Sequence, residues 1–201
     1  MGDPKKNRRK YSTPAHPWQA TRLKEEADLV FRYGLKNKKE VWKMISIIKR
    51  FKSRAKNLIA GYTEQNEKEK KQLISKLNRL NLVNEDGSLD DVLGLKLDSI
   101  FERRLQTLVF RKGLTKTVKQ ARQFITNGHI SINGKKINVP SYLVLKDEEG
   151  KIGFNTNSKL SNENHPERLL KKEIEDLKKE KEHFKEETQK KEERLVEVEA
   201  V

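Results

Sequence analysis

The charge of this chain is concentrated in one part of it. Residues 1–158 carry 34 Lys or Arg against 17 Asp or Glu, whereas residues 159–201 carry 11 against 13. A net +17 repels itself on compaction unless a polyanion neutralises it, and nucleic acid is the commonest polyanion in a cell interior. A merely solubilising basic surface is the bland alternative. Apolar residues make up only 33% of the 201, enough for one or two small cores and too few for a large catalytic domain.

Several chemistries are excluded by residue type. With no cysteine there is no disulfide framework, thiolate zinc site or thiol nucleophile. His16, His129, His165 and His183 are too scattered for a ligand set, so neither metal nor cofactor is expected. The longest apolar run, Tyr142 to Leu145, is far short of a membrane span. Met1-Gly2 is a weak myristoylation start because Lys6 stands where Ser or Thr is needed. The expectation is a soluble cytoplasmic protein with no membrane partner and no small-molecule substrate. No Walker, HExxH or GxSxG motif occurs: Gly128 and Gly134 are spaced like a phosphate loop with one residue too many, and Lys136 replaces its Ser or Thr. The chain reads as no enzyme.

Residues 1–17 hold three prolines and five basic residues, Lys5, Lys6, Arg8, Arg9 and Lys10. They predict a disordered basic arm. Residues 18–95 predict a helical domain. Its first helix has Ala20, Leu23, Ala27 and Val30 inward and ends at Gly34. Its second is opened by an Asn37/Glu40 cap pair and carries the stripe Val41, Met44, Ile45, Ile48, Ala55, Leu58 and Ile59. Lys43, Lys49, Arg50, Lys52, Arg54 and Lys56 lie opposite that stripe. A third helix starts at Thr63 with Leu73, Leu77 and Leu80 inward, before a turn at Asp86-Gly87.

Residues 96–155 change texture. Asp98 or Ser99, the latter with Glu102 in capping-box spacing, predicts one helix running to Lys112. Thr117 and Gln120 repeat that spacing and open a helix to Asn127-Gly128. Ile130 and Ile132 then alternate into Asn133-Gly134, the strongest short hairpin signal, with a return strand over 135–139. Residues 142–145 and 152–154 can add short strands. Residues 156–201 predict a charged helical tail whose apolar seam fails after Phe184. The fold class is therefore α+β: an N-terminal helical domain, a small helix-turn-helix module with short antiparallel strands, and a charged tail.

At 100° per residue, Val118, Ala121, Phe124 and Ile125 share one side of the Thr117–Asn127 helix, and Lys116, Lys119, Gln123 and Asn127 the other. Arg122 sits at the border with its guanidinium reaching outward. Together with Arg103, Arg104, Arg111 and Lys112 of the preceding helix and Lys135 and Lys136 of the hairpin, this predicts a basic strip suited to phosphate oxygens. An ordinary solvated face is the competing reading. His129 can hydrogen-bond a phosphate or 2′-hydroxyl, or simply cap and pack. Only 6% of residues are aromatic, mostly at apparent core positions, so base stacking is not expected.

Leu97-Asp98, Arg103-Arg104-Leu105, Arg111-Lys112-Gly113-Leu114, Thr117, the run Lys119 to Ile125, Gly128-His129-Ile130 and Asn133-Gly134-Lys135 resemble the RNA-binding module of the small-subunit ribosomal protein four family. Lys10-Tyr11, Thr13 to Trp18, Arg22-Leu23 and Tyr33-Gly34-Leu35 resemble its archaeal and eukaryotic branch. The resemblance covers residues 1 to about 155. It implies a primary binder of small-subunit rRNA that helps nucleate the subunit body, touches small-subunit ribosomal protein five and other small-subunit proteins, and influences decoding accuracy. Under that resemblance the RNA-binding candidates are the strip residues named above, with Thr117, His129 and Asn133, the helix-two cations Lys49, Arg50, Lys52 and Arg54, and the arm. Some bacterial members hold an N-terminal zinc through cysteines, which this chain lacks. The same module also occurs on RNA-modifying enzymes, which leaves a non-ribosomal RNA-binding or RNA-modifying protein as the alternative.

Overall fold

The computed structural model describes residues 9–61, 63–85, 87–162, 165 and 167. The expected arm cations Lys5, Lys6 and Arg8, Asp86 of the expected turn, and nearly all of the expected tail helix lie outside them. The chain divides into two compact units, Met1–Gly153 and Phe154–Val201.

In the first unit, α1 (Ala20–Arg32), α2 (Lys38–Ala60) and α3 (Glu64–Arg79) follow the expected helices closely. The 23 residues of α2 reach about 35 Å at 1.5 Å per residue, long enough to serve two cores. Its first half contributes Val41, Met44 and Ile48 to a cluster with Tyr33, Leu35, Ile100 and Phe101. Its second half contributes Ala55 and Leu58 to a cluster with Leu73, Leu77, Val83, Val92 and Leu95. The second cluster is closed by α4 (Leu89–Gly94), whose cap Ser88 and Asp91 exchange hydrogen bonds as a capping box.

Helix α1 departs from its expected face. Ala20 and Ala27 are exposed, while Glu26 is 3% exposed, paired with Arg22 at 2.7 Å and accepting from Trp42 Nε1 at 3.0 Å. Two alanines bury too little area to set a helix's rotation against an ion pair and an indole hydrogen bond. Ile59 is exposed as well. Residues 9–17 are also more engaged than a free arm would be: Tyr11 lies beside Trp42, Lys39 sits over the Tyr11 ring at 5.3 Å, and Ser12 N donates to Ser46 Oγ.

The expected helix to Lys112 is two helices, α5 (Leu97–Glu102) and α6 (Leu105–Arg111), broken at Arg103-Arg104. Extended backbone at Arg104 lets Leu105 N and Gln106 N donate to Tyr142 O and Pro140 O, and Val144 N donate to Arg103 O. Residues 142–145 therefore form one bridge, Arg104 with Leu143, and no strand. Lys96 occupies the α5 cap position without a side-chain bond, so neither Asp98 nor Ser99 caps it. Asp98 instead accepts from Tyr33 Oη at 3.0 Å. Burial first, then that bond and the two nearby carboxylates, pushes the Tyr33 phenol up to about 12.

Helix α7 (Val118–Thr126) is capped by Thr117, whose side chain accepts from Gln120 N. Strand β1 (Ile130–Ile132) pairs antiparallel with β2 (Lys135–Lys136), a shorter return than expected. After α8 (Lys146–Glu149), β3 (Ile152–Phe154) completes a sheet of order β2-β1-β3. In the second unit, the described residues make a 3-10 turn, Lys159–Ser161, capped by Ser158.

The hairpin turn generates a test. Asn133 and Gly134 have φ of 52° and 75°, the two left-handed positions of a type I′ turn. A Cβ on Gly134 would meet nothing within 4 Å, so the cost of a side chain there is conformational alone. Gly134→Val should lower stability by about 2 kcal/mol, and Asn133→Gly should change it by less than ~0.5 kcal/mol, measured by urea unfolding. Equal losses would contradict the turn assignment.

Candidate nucleic-acid interface

Both oxygens of the Glu40 carboxylate are occupied by arginine. Oε2 accepts from Arg104 Nη2 at 2.6 Å and from Arg122 Nη1 at 3.3 Å, and Oε1 accepts from Arg122 Nη2 at 2.8 Å. The Arg104 side chain is 1% exposed and that of Glu40 is 17% exposed. Burial alone would raise the Glu40 pKa, but the hydrogen bonds and charges of Arg122 and Arg104 outweigh it and hold it below the ordinary carboxylate value. Burial pulls the Arg104 guanidinium down, yet an arginine keeps its proton inside proteins. The expected cap role of Glu40 is therefore replaced: Asn37 stands at the α2 N-cap without a side-chain bond.

Gln106 adds a second tie. Fully buried, its Nε2 donates to Gly34 O and Val118 O, each at 3.0 Å, joining the exit of α1 to the first turn of α7. The α7 backbone is thus held from two sides, by Gln106 at its start and by Glu40 through Arg122.

The arginines expected on the basic strip are mostly turned inward. Arg103 is buried and donates to Glu149 Oε2 at 2.6 Å and to Val144 O. Arg104 and Arg122 serve Glu40, so the Arg122 guanidinium does not reach outward as expected. The break between α5 and α6 turns residues 103 and 104 toward the core, where a buried guanidinium must find a carboxylate, and the half-buried Arg122 of α7 is drawn to the same Glu40. Arg111 is exposed but donates to both oxygens of Glu102, and Lys112 Nζ donates to Glu149 O.

The lysines make the outward surface. Lys119, Gln123 and Asn127 are exposed on one face of α7, with Lys116 half-buried before it. Lys116 N donates to Gln120 Oε1, so the capping glutamine reaches one residue further back than in a standard box. Lys135 and Lys136 are exposed on β2. Gly128, at φ 76°, lies under the far end of the Lys136 side chain, and its positive φ is what favours glycine there. His129 stands edge-on to the Phe124 ring, centroids 5.9 Å apart, a packing contact. Lys49, Arg50 and Arg54 are exposed on α2 and Lys52 is half-buried; Arg9 and Lys10 are exposed before Tyr11. Among the described residues no group of three or more His, Asp or Glu side chains could hold a metal ion, and no helix is long and apolar enough to cross a membrane.

Glu40, Gln106, Glu26 and Glu149 were not legible as site-forming residues. The partners of Glu40, Gln106 and Glu149 lie up to 82 positions away, whereas Glu26 is paired with Arg22 four positions before it.

An α+β unit in which a short helix pair and a type I′ hairpin present lysines on a backbone braced by buried arginine pairs defines the class of a compact polyanion-binding module. The S4 domain family matches residues 103–149. The small ribosomal subunit protein uS4 of Methanococcus aeolicus is 56% identical over 169 residues, 84% of this chain and 96% of that protein. The proteins of the same name from Methanococcus maripaludis and Methanothermobacter thermautotrophicus are 49% and 50% identical, covering 84% and 77% of this chain and 95% and 90% of their own. The chain belongs to the small ribosomal subunit protein uS4 family.

The buried triad generates a test by mutation and by pH. Glu40→Gln leaves Arg104 buried without a counter-charge and should cost about 3 kcal/mol. Arg32→Gln breaks an exposed pair with Asp98, 62% and 50% exposed, and should cost less than ~1 kcal/mol. Because the folded-state pKa of Glu40 is lowered, its contribution is complete above the unfolded value, about 4.3, and is lost as pH falls through the folded value. The gap between the unaltered protein and Glu40→Gln should therefore narrow in acid below that window. A gap independent of pH would contradict the triad.

Proposed function

We propose that the protein is a structural constituent of the small ribosomal subunit that binds small-subunit rRNA, chiefly through backbone phosphates. The observation that carries this reading is the match to uS4 proteins along 84% of the chain and nearly all of theirs. The exposed Lys119, Lys135 and Lys136 and the half-buried Lys116 support it, since ammonium groups on a rigid scaffold suit an RNA surface whose narrow major groove admits no helix. Gln123 and Asn133 add exposed amides beside them, and Lys49, Arg50, Lys52 and Arg54 extend the basic surface along α2.

In this reading the arm (1–17), the helical domain (18–95), the RNA-binding module (96–155) and the charged tail (156–201) are the working parts. Arg103, Arg104, Arg111, Lys112 and Arg122 contribute mainly by holding the module's shape, Thr117 by capping α7, and His129 by packing. The role is non-catalytic, placed on ribosomes in the cytoplasm. Contact with small-subunit ribosomal protein five, nucleation of the subunit body and an effect on decoding accuracy follow from the same family reading.

Filter binding to small-subunit rRNA tests it. Half a dozen phosphate contacts give a slope of log affinity against log salt near -4 to -5, at roughly 0.7 to 0.9 per contact. Lys116→Ala with Lys119→Ala should weaken binding and flatten the slope while shifting stability by less than ~0.5 kcal/mol each. A slope between 0 and -1 for the unaltered protein would overturn the reading.

A further inference from the structure

Aromatic side chains among the described residues are at least partly buried, with two exceptions: Trp18 is 89% exposed and Phe31 88%. The expectation that aromatics sit in the core fails at these two positions, and they differ in setting. Phe31 lies on α1 next to Arg32, which is paired with Asp98. Trp18 lies in a strongly basic stretch: residues 1–24 contain seven Lys or Arg and a single acid, Asp3.

The backbone that carries Trp18 is fixed. Arg22 Nη2 donates to the carbonyls of His16 and Pro17 at 2.8 and 2.7 Å. Its Nη1 donates to the buried Glu26 at 2.7 Å, and Glu26 also accepts from Trp42 Nε1. Pro17 adds its own fixed φ immediately before the indole. A bidentate arginine grip on two consecutive carbonyls, anchored to a buried carboxylate, holds a large apolar ring out in water, where the ring adds nothing to folding. An aromatic face presented on a rigid backbone within a basic segment is how proteins capture unpaired bases: stacking supplies the attraction, and cations neutralise the adjoining phosphates.

We propose that the Trp18 indole stacks on an unpaired base of the bound RNA, with the exposed Arg9, Lys10 and Lys24 that flank it in sequence neutralising nearby phosphates. Arg22 and Glu26 then act as positioning residues for the indole. This inference rests on the rRNA-binding reading above and adds a base contact to a surface otherwise made of phosphate contacts.

Filter binding of the full chain to small-subunit rRNA at fixed salt separates the two. Trp18→Leu keeps an apolar side chain without a stacking face and should lose affinity about tenfold, within the range of one stacked base. Trp18→Phe should keep most of it. The indole emission of the unaltered protein, less that of Trp18→Phe, should be quenched by the rRNA and left unchanged by heparin, a polyanion without bases. Unaltered affinity in Trp18→Leu overturns the proposal, whether or not the variant then fails to enter subunits, the behaviour of a protein-docking residue. Equal quenching by heparin also overturns it. Failure of the unaltered protein to bind rRNA at all would overturn the rRNA reading, and this proposal with it.

Discussion

The carboxylate of Glu40 on α2 collects two arginines that come from different elements: Arg104 at the start of α6 and Arg122 in α7. Arg104 cannot stay buried without it, because an unpaired guanidinium in the interior costs several kcal/mol. The break between α5 and α6 therefore depends on a residue 64 positions earlier. With the break comes the bridge to Leu143, the inward turn of Arg103 toward Glu149, and the short α6 that pairs with α7. Remove the carboxylate and each of these loses its reason to be where it is.

This arrangement divides the cations by chemistry. The planar guanidinium tolerates burial when it meets a carboxylate: Arg122 holds Glu40 through two nitrogens, and Arg103 and Arg104 each place one nitrogen on a carboxylate oxygen. The ammonium is strongly hydrated and holds no fixed geometry, and Lys119, Lys135 and Lys136 stand in solvent. The basic surface is thus mainly lysine on an arginine-braced frame. A rigid frame matters for a phosphate-binding surface, because the spacing of the charges is then set before binding and little ordering entropy is lost on contact.

Much of this was legible in the sequence where the causes are local. The stripes of α2 and α3, the Thr117 cap and the Asn133-Gly134 turn all follow from residues within four positions of one another. The helix break at Arg103-Arg104 was not, since Ile100 through Lys112 reads as one amphipathic run until the pairing with residues 140–144 competes for its backbone. Glu40 was misread for the same reason: three residues after Asn37 it matches a cap pair, and only the tertiary fold brings two guanidinium groups to it. Glu26 took an inward position on α1 while Ala20 and Ala27, expected inward, face out, because charge pairing, which hydropathy does not register, fixed the rotation of the helix.

The central claim is that lysines on α7 and the hairpin, held out by a buried arginine frame, form the RNA-binding surface. Lysine-directed crosslinking of the protein to small-subunit rRNA, with the crosslinked peptides located by mass spectrometry, tests it most directly. The account predicts crosslinks at Lys116, Lys119, Lys135 and Lys136. Crosslinks confined to residues 159–201, with none between Lys112 and Lys136, would contradict it.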